Sequence, residues 1–292
     1  MSNNILVSVV ITTYNGTDSI ERAVKSVLNQ TYRSIEIIVV DDNGLGSINQ
    51  IKTETIVKKF PSVIYIPHKI NKNGSAARNT GINVAKGKYV AFLDDDDAFM
   101  STKIEKQVVA LEKCTNEYAV CYTGILVHYN NGKVRELIQD ESGYLFTQIL
   151  RREIHIGTSV LMIKRDVLKK MNGFDESFRR HQDWEVMDRL SKEYNFVAIP
   201  EPLIDRYICQ RNSATDATKY EQNRLFYLEK MESLINSLLD DDKRYVYYFH
   251  YMSIAKEFLK EKNLKKFFYY AKKTNNIPRL IKDFIRDLRN RC

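Results

Sequence analysis

Along residues 1–100, short apolar runs alternate with longer amphipathic stretches. The runs at 5–11 (ILVSVVI), 35–40 (IEIIVV), 63–66 and 89–93 (YVAFL) are rich in Val and Ile and nearly free of polar positions. That pattern predicts strands buried on both faces, as in a parallel sheet covered by helices. Between them, 19–29, 47–59 and 75–85 read as helices, and strand–helix–strand alternation predicts an α/β sheet. Thr102 with Glu105 three residues on is a capping-box pattern that starts a helix near Lys103. From about 118 to 208 the elements mix, with strands expected at 119–128, 158–163 and 196–199 and a helix at 182–193. Beyond Asp216 the chain turns helical and rich in Tyr, Phe and Lys, which places a boundary at about 212–220.

A chain of 292 residues, 43% hydrophobic and 28% charged, has enough apolar surface for a large core, which excludes general disorder. Its net charge of +8, taken alone, would suggest nucleic acid or an acidic membrane surface. The charge is unevenly placed: 243–292 holds 14 Lys/Arg against 4 Asp/Glu, leaving 31 against 33 in 1–242. The body is thus slightly acidic (−2) and the tail strongly basic (+10). No run approaches the ~18–20 apolar residues of a membrane span. The start lacks a signal-peptide pattern, so a cytoplasmic location is expected. Cys114, Cys121, Cys209 and Cys292 show no metal-type spacing and read as reduced thiols.

In open α/β sheets ligands bind beyond the carboxyl ends of the strands. Here those ends run into Thr12, Thr13, Tyr14 and Asn15, then Asp41, Asp42 and Asn43, then Asp94, Asp95, Asp96 and Asp97. Parallel neighbours would gather six carboxylates on one edge, which is costly unless a cation joins them. Oxygen-only donors suit Mg²⁺ or Mn²⁺, and Mg²⁺ usually bridges one or two carboxylates to substrate phosphates, which points to a nucleotide. An isolated acidic run would read as a solvated turn; three polar ends on one edge favour a site. The dinucleotide fingerprint and the P-loop are absent after the first strand. An EF-hand from Asp94 fails at Ala98 and Phe99.

The runs 7–15 (VSVVITTYN), 39–42 (VVDD), 73–79 (NGSAARN), 92–97 (FLDDDD) and 181–185 (HQDWE), with Arg189 and Leu190 following, resemble the family 2 glycosyltransferases in order and spacing over roughly 5–215. The resemblance implies a GT-A fold, a Rossmann-like mostly parallel sheet with flanking helices, followed by a C-terminal helical region. Residues 1–100 would be its nucleotide-sugar-binding half, 101–215 its acceptor-binding half, and 216–292 the basic helical region. It further implies an inverting, metal-dependent enzyme moving a sugar from a nucleotide donor, expected to be UDP-linked, to a glycan or lipid-linked saccharide in bacterial surface polysaccharide synthesis. By position, Thr13 and Tyr14 would line the nucleoside and Asp42 would accept a hydrogen bond from the base. Asp94 and Asp96 would fall on the metal motif with Mn²⁺ or Mg²⁺, Asp94 or Asp95 would face the ribose, and Asp183 would be the catalytic base. A divalent ion stabilising the leaving diphosphate, and one carboxylate deprotonating the acceptor hydroxyl, are what such a transfer needs. Glycoside hydrolases instead flank the sugar with paired carboxylates.

Arg78, in the first turn of a helix opened by Gly74 and Ser75, is a candidate phosphate contact. His155 and His181 are candidate phosphate or metal contacts, and Trp184 is either an acceptor-sugar platform or core. Family members carry a closing loop with Arg and His; here 206–213 reads RYICQRNS, without His, so Arg211 would supply the cation. The rival readings are a sugar nucleotidyltransferase, whose Gly-rich basic segment is missing, and a non-catalytic sugar-nucleotide-binding or glycan-binding relative. After Pro278, Leu280, Ile281, Phe284, Ile285 and Leu288 share one helical face bordered by Arg and Lys. That face suits either anionic lipid, giving peripheral attachment to the inner membrane face, or packing on the body or on a second subunit. Nucleic acid is not an expected partner.

Overall fold

A computed structural model of the chain describes residues 5–154, 156–208 and 216–275. His155, Cys209, Arg211, Cys292 and the amphipathic stretch after Pro278 lie outside the described residues. The chain forms two compact units. One takes in the described residues of Met1–Leu145 and His155–Gln210, the other those of Phe146–Ile154 and Arg211–Cys292.

The first unit opens with alternating elements: β1 (Val7–Thr13), α1 (Ile20–Leu28), β2 (Ile35–Asp41), α2 (Ile48–Val57), β3 (Val63–Pro67), α3 (Gly74–Val84) and β4 (Tyr89–Asp94). It continues with β5 (Asp97–Phe99), α4 (Lys103–Lys113), β6 (Tyr118–His128) and β7 (Val134–Leu137). After α5 (Phe146–Leu150), which belongs to the second unit, come a 3₁₀ turn at Thr158–Val160, β8 (Met162–Lys164), α6 (Arg165–Lys170), α7 (Gln182–Glu193) and β9 (Asn195–Tyr207). The strands form one mixed sheet in the order β3-β2-β1-β4-β8-β6-β9-β5, with β7 beside β6. Its first four strands are parallel, as their apolar runs predict. Val9, Val10, Ile11, Ile38, Val39, Val40, Val90 and Phe92 are fully buried. The register sets Thr13 opposite Asp41 and Thr12 opposite Asp94, so three polar strand ends stand side by side.

Three local expectations are corrected. The strand expected at 158–163 is a 3₁₀ turn followed by β8. The Thr158 hydroxyl bonds the Asp94 carboxylate and the Ser159 hydroxyl accepts from the Asp94 N–H, both at 3.1 Å, which pulls the turn out of the ladder. The strand expected at 196–199 runs on to Tyr207 through Pro200 and Pro202. The prolines are absorbed where the β6–β9 register shifts at Gly124, whose missing Cβ would stand 3.0 Å from the Glu201 carbonyl oxygen. Helix α4 does start at Lys103, but without a capping box. Thr102 (φ −100°, ψ 2°) makes no side-chain cap bond, and the Glu105 carboxylate accepts from the Thr31 hydroxyl at 2.7 Å instead.

Beneath α4, Lys103 is fully buried, its Nζ 2.7 Å from Gln107 Oε1 and 4.1 Å from the Phe99 ring centre. Burial pulls its ammonium down to about 7. Below pH 7 the lysine is charged in both the folded and unfolded chain, and the folded state bears the whole cost of burying the charge. Between 7 and the ordinary value of 10.5 only the unfolded chain holds that proton, so stability rises with pH. Lys103→Met is therefore expected to stabilise the protein by roughly 2–4 kcal/mol at pH 6. Urea denaturation should show that gap narrowing toward pH 10; an equal gap at both pH values would contradict the buried-charge account.

The second unit is helical: α5, α8 (Ala217–Lys230), α9 (Glu232–Asn236), α10 (Asp240–Lys260) and α11 (Leu264–Lys273). Asp216 caps α8, its carboxylate accepting from the Lys219 N–H at 2.8 Å, and Asp240, Asp241 and Asp242 oppose the positive end of α10. The core packs Ala217, Tyr248, Met252, Ile254, Ala255, Phe258, Tyr270 and Ala271. The segment 146–154 is tied in by Arg151, 2.8 Å from Asp242 and over the Tyr245 ring, and by Arg152 donating to the Tyr227 hydroxyl. No helix among the described residues is long and apolar enough to cross a membrane. Cys114 and Cys121 are free thiols, and burial pushes Cys121 up to about 12.

Candidate functional site

The parallel strands end on a shared polar edge, but their carboxylates are employed differently. Asp41 accepts from the Asn43 N–H at 2.8 Å and from the Tyr65 hydroxyl at 2.7 Å, and holds the turn after β2. Asp42 is buried, with Oδ1 2.7 Å from His68 Nδ1 and 2.8 Å from the Lys72 N–H. Its Oδ2 accepts from Asn71 Nδ2 and the Asn73 N–H, both at 2.9 Å. One carboxylate thus organises the segment 68–73 that leads into α3. Asn73 completes the entry at φ 90°, its side chain accepting from the Ala76 N–H at 3.2 Å.

Beyond β1, Thr13 is buried and its hydroxyl has no hydrogen-bond partner among the described residues, while Tyr14 is 55% exposed. The Tyr14 N–H donates to Asp95 Oδ2 at 3.3 Å. Gly16 closes against this pair. A Cβ there would lie 1.7 Å from Asp95 Oδ2 and 2.7 Å from Thr13 Oγ1, so any side chain would dislodge the buried Asp95 carboxylate.

In the acidic turn burial alternates: Asp95 and Asp97 are buried, Asp94 and Asp96 partly exposed. Arg78, 8% exposed, spends its guanidinium within the protein. Its Nη2 lies 2.6 Å from Asp94 Oδ1 and its Nη1 2.8 Å from Gln182 Oε1, at the start of α7. Burial works against the charged form of Asp94, yet Arg78 outweighs it and holds the carboxyl below its usual range. Asp97 is pushed up to about 6 by burial, with the charges of Asp94 and Asp96 adding and Arg206, 3.3 Å away, opposing. Arg22 donates to the Asp96 carbonyl at 2.7 Å and stacks on the Tyr207 ring, fixing the turn from α1.

Helix α7 begins at His181, whose φ of 60° is left-handed and whose ring stacks on Trp184 at 4.1 Å between centres. Trp184 is partly exposed rather than core, and Asp183 stands in the same first turn. Farther along, the buried Glu185 pairs with Arg189, which donates to the Met171 and Gly173 carbonyls at 2.9 and 2.6 Å. Glu185 anchors the body of α7 through Arg189, and Gln182 ties its first turn to Arg78, the partner of Asp94.

Sequence reasoning missed Arg206, Arg22 and Gln182, because each acts through a partner far along the chain; Arg206 and Asp97 are 109 residues apart. Among the described residues no group of three or more His, Cys, Asp or Glu is arranged to hold a metal. Mg²⁺ needs no such cage when substrate phosphates supply further oxygens; Asp94 has Oδ1 on Arg78 and Oδ2 on the Thr158 hydroxyl, so of the two it is the partly exposed Asp96 that fits that mode.

Residues 8–171 match the family described as glycosyl transferase family 2. The chain belongs to this family. Among relatives of this glycosyltransferase, the amylovoran biosynthesis glycosyltransferase AmsB of Erwinia amylovora is 26% identical over 99% of the chain and 97% of its own length. The UDP-Glc:alpha-D-GlcNAc-diphosphoundecaprenol beta-1,3-glucosyltransferase WfaP of Escherichia coli is 41% identical over 37% of the chain, which spans 41% of that protein. Among solved structures, S. aureus TarS 1-349 in complex with UDP-GlcNAc is similar with a TM-score of 0.59 at 14% identity, over 94% of this chain and 92% of that one. The family 2 glycosyltransferase thus has the GT-A fold, with further helices in its second unit.

Proposed function

We propose that this glycosyltransferase moves a sugar, with inversion, from a UDP-linked donor to a saccharide or lipid-linked saccharide acceptor in bacterial polysaccharide synthesis, working in the cytoplasm or at the inner membrane face. The observation that carries the reading is the Asp94–Arg78–Gln182 link, which joins the donor edge to the helix bearing Asp183. The UDP in the TarS complexes, and the diphosphate-linked lipid acceptor named for WfaP, support the donor and acceptor classes.

In this reading Thr13 and Tyr14 line the nucleoside, Asp42, whose two oxygens already hold His68, Lys72, Asn71 and Asn73, shapes its pocket through the segment 68–73, and Asp95 faces the ribose. Arg78 acts through Asp94 and Gln182. His181 and Trp184 offer their stacked rings to the acceptor. Asp183 takes the proton of the acceptor hydroxyl as its oxygen bonds to the anomeric carbon, opposite the breaking bond to the diphosphate; one such displacement inverts the centre. Asp96, with Asp94 beside it on Arg78, would hold Mn²⁺ or Mg²⁺, whose Lewis acidity would stabilise the leaving diphosphate.

Calorimetric titration with UDP tests the donor edge. Mn²⁺ is expected to tighten UDP binding to the native chain at least ~10-fold, about 1.4 kcal/mol, and Asp96→Ala to abolish that gain. Equal affinity with and without Mn²⁺ in both proteins would remove the metal assignment.

A further inference from the structure

The basic, tyrosine-rich part of the second unit is not used by the chemistry above. The start of α10 and the end of α11 there border a half-open cavity of about 950 Å³. Its lining includes Tyr245, Tyr247, Tyr251, Arg244, Lys273 and Asp241. That volume lies at the upper end of the ~300–1,000 Å³ typical of small-molecule sites.

The lining has two kinds of surface. Tyr247 and Tyr251 stand one turn apart with near-parallel rings, 6.1 Å between centres, and both are only partly buried. Flat ring faces flanked by hydroxyls are the surface on which a sugar lays its C–H groups while its hydroxyls find partners. The second kind is cationic. Lys273 is exposed and makes no ion pair among the described residues; its Nζ lies over the rings of Tyr251 and Tyr269, 5.3 and 4.9 Å from their centres. Among the described residues, Arg244 and Lys243 pair only with Asp241 and Asp240, whose side chains are 90% and 80% exposed. Such solvated pairs hold weakly and yield to a stronger anion. Phosphate is that anion, since it carries more charge and accepts from guanidinium and ammonium together. Asp241 and Asp242, also in the lining, would accept from sugar hydroxyls.

We propose that this cavity binds a glycosyl phosphate, the sugar on Tyr247 and Tyr251 and the phosphate on Lys273 and Arg244. The phosphate has two sources, the head of a lipid-linked saccharide or a phosphodiester-linked glycan, which share this chemistry.

The test titrates the full chain with glucose 1-phosphate, glucose and inorganic phosphate, followed by saturation-transfer NMR, and repeats the series with Lys273→Gln and Tyr247→Ala. Glucose 1-phosphate is expected to bind at least ~10-fold more tightly than either fragment alone, and each variant to lose at least ~10-fold. Should Tyr247→Ala fail to fold, the exposed Lys273→Gln still decides. Unchanged affinity in Lys273→Gln overturns the proposal. So does inorganic phosphate binding as tightly as glucose 1-phosphate, and retention on phosphatidylglycerol vesicles would then assign the patch to a lipid surface. Competition by a water-soluble phosphodiester glycan, or by detergent-dispersed polyprenyl diphosphate sugar, distinguishes the two sources. UDP binding to the unmodified chain is measured alongside: its absence counts against the donor edge and leaves the sugar-phosphate result standing.

Discussion

Asp183→Asn is expected to lower kcat by ~10²- to 10⁴-fold while UDP affinity stays within about twofold. The amide keeps the size and hydrogen-bonding reach of the carboxylate but does not take up the acceptor's proton. Asp183 also lies in the first turn of α7, where a negative charge favours the helix by roughly 0.3–1 kcal/mol. If that were its only role, the variant would melt slightly earlier and turn over normally. Steady-state kinetics with the acceptor, beside a UDP titration, separates the two; native turnover in the variant would remove Asp183 as the base.

Arg78→Ala is expected to cost roughly 2–4 kcal/mol of stability and to reduce turnover at the same time. The substitution leaves Asp94 beside Thr158 without its guanidinium and frees Gln182 from the edge. The estimate is below that for a fully buried pair because the Asp94 side chain is 33% exposed. Arg78→Lys restores a charge but not a planar fork that reaches two partners. It should therefore recover part of the melting temperature while kcat remains low. Full recovery of kcat by lysine would mean that only the charge matters, and that the link to α7 carries nothing.

The parallel half of the sheet was legible because its strands are short, nearly apolar runs, three of which end in Thr or Asp, a pattern that few other local structures tolerate. The edge residues could be located for the same reason, since a parallel register follows once the strands are recognised. What was not legible depends on pairing across the fold. The segment 158–163 (TSVLMI) carries an apolar run that reads as a strand, and the bonds of Asp94 to the Thr158 and Ser159 hydroxyls turn its first half into a 3₁₀ turn. Pro200 and Pro202 look like a strand end until Gly124 is placed beside them. Arg78 reads as a phosphate ligand from its place near a helix start, and its burial against Gln182 is invisible until α7 is in position. Glu105 fits a capping box, but Thr31, 74 residues away, takes its carboxylate.

The allegiance of Phe146–Ile154 bears on how this chain can be taken apart. Arg151 and Arg152 find Asp242 and Tyr227 more than seventy residues downstream. A stop codon near residue 216 would thus strip the mid-chain segment of its companions, leaving two arginines and the apolar Phe146, Ile149 and Leu150 without the helices they fold with. Removing the tail is not a neutral subtraction. Grafting the helical end of one relative onto the catalytic body of another would succeed only if the loop around 146–154 travelled with it, so the two stretches should be exchanged as a single cassette.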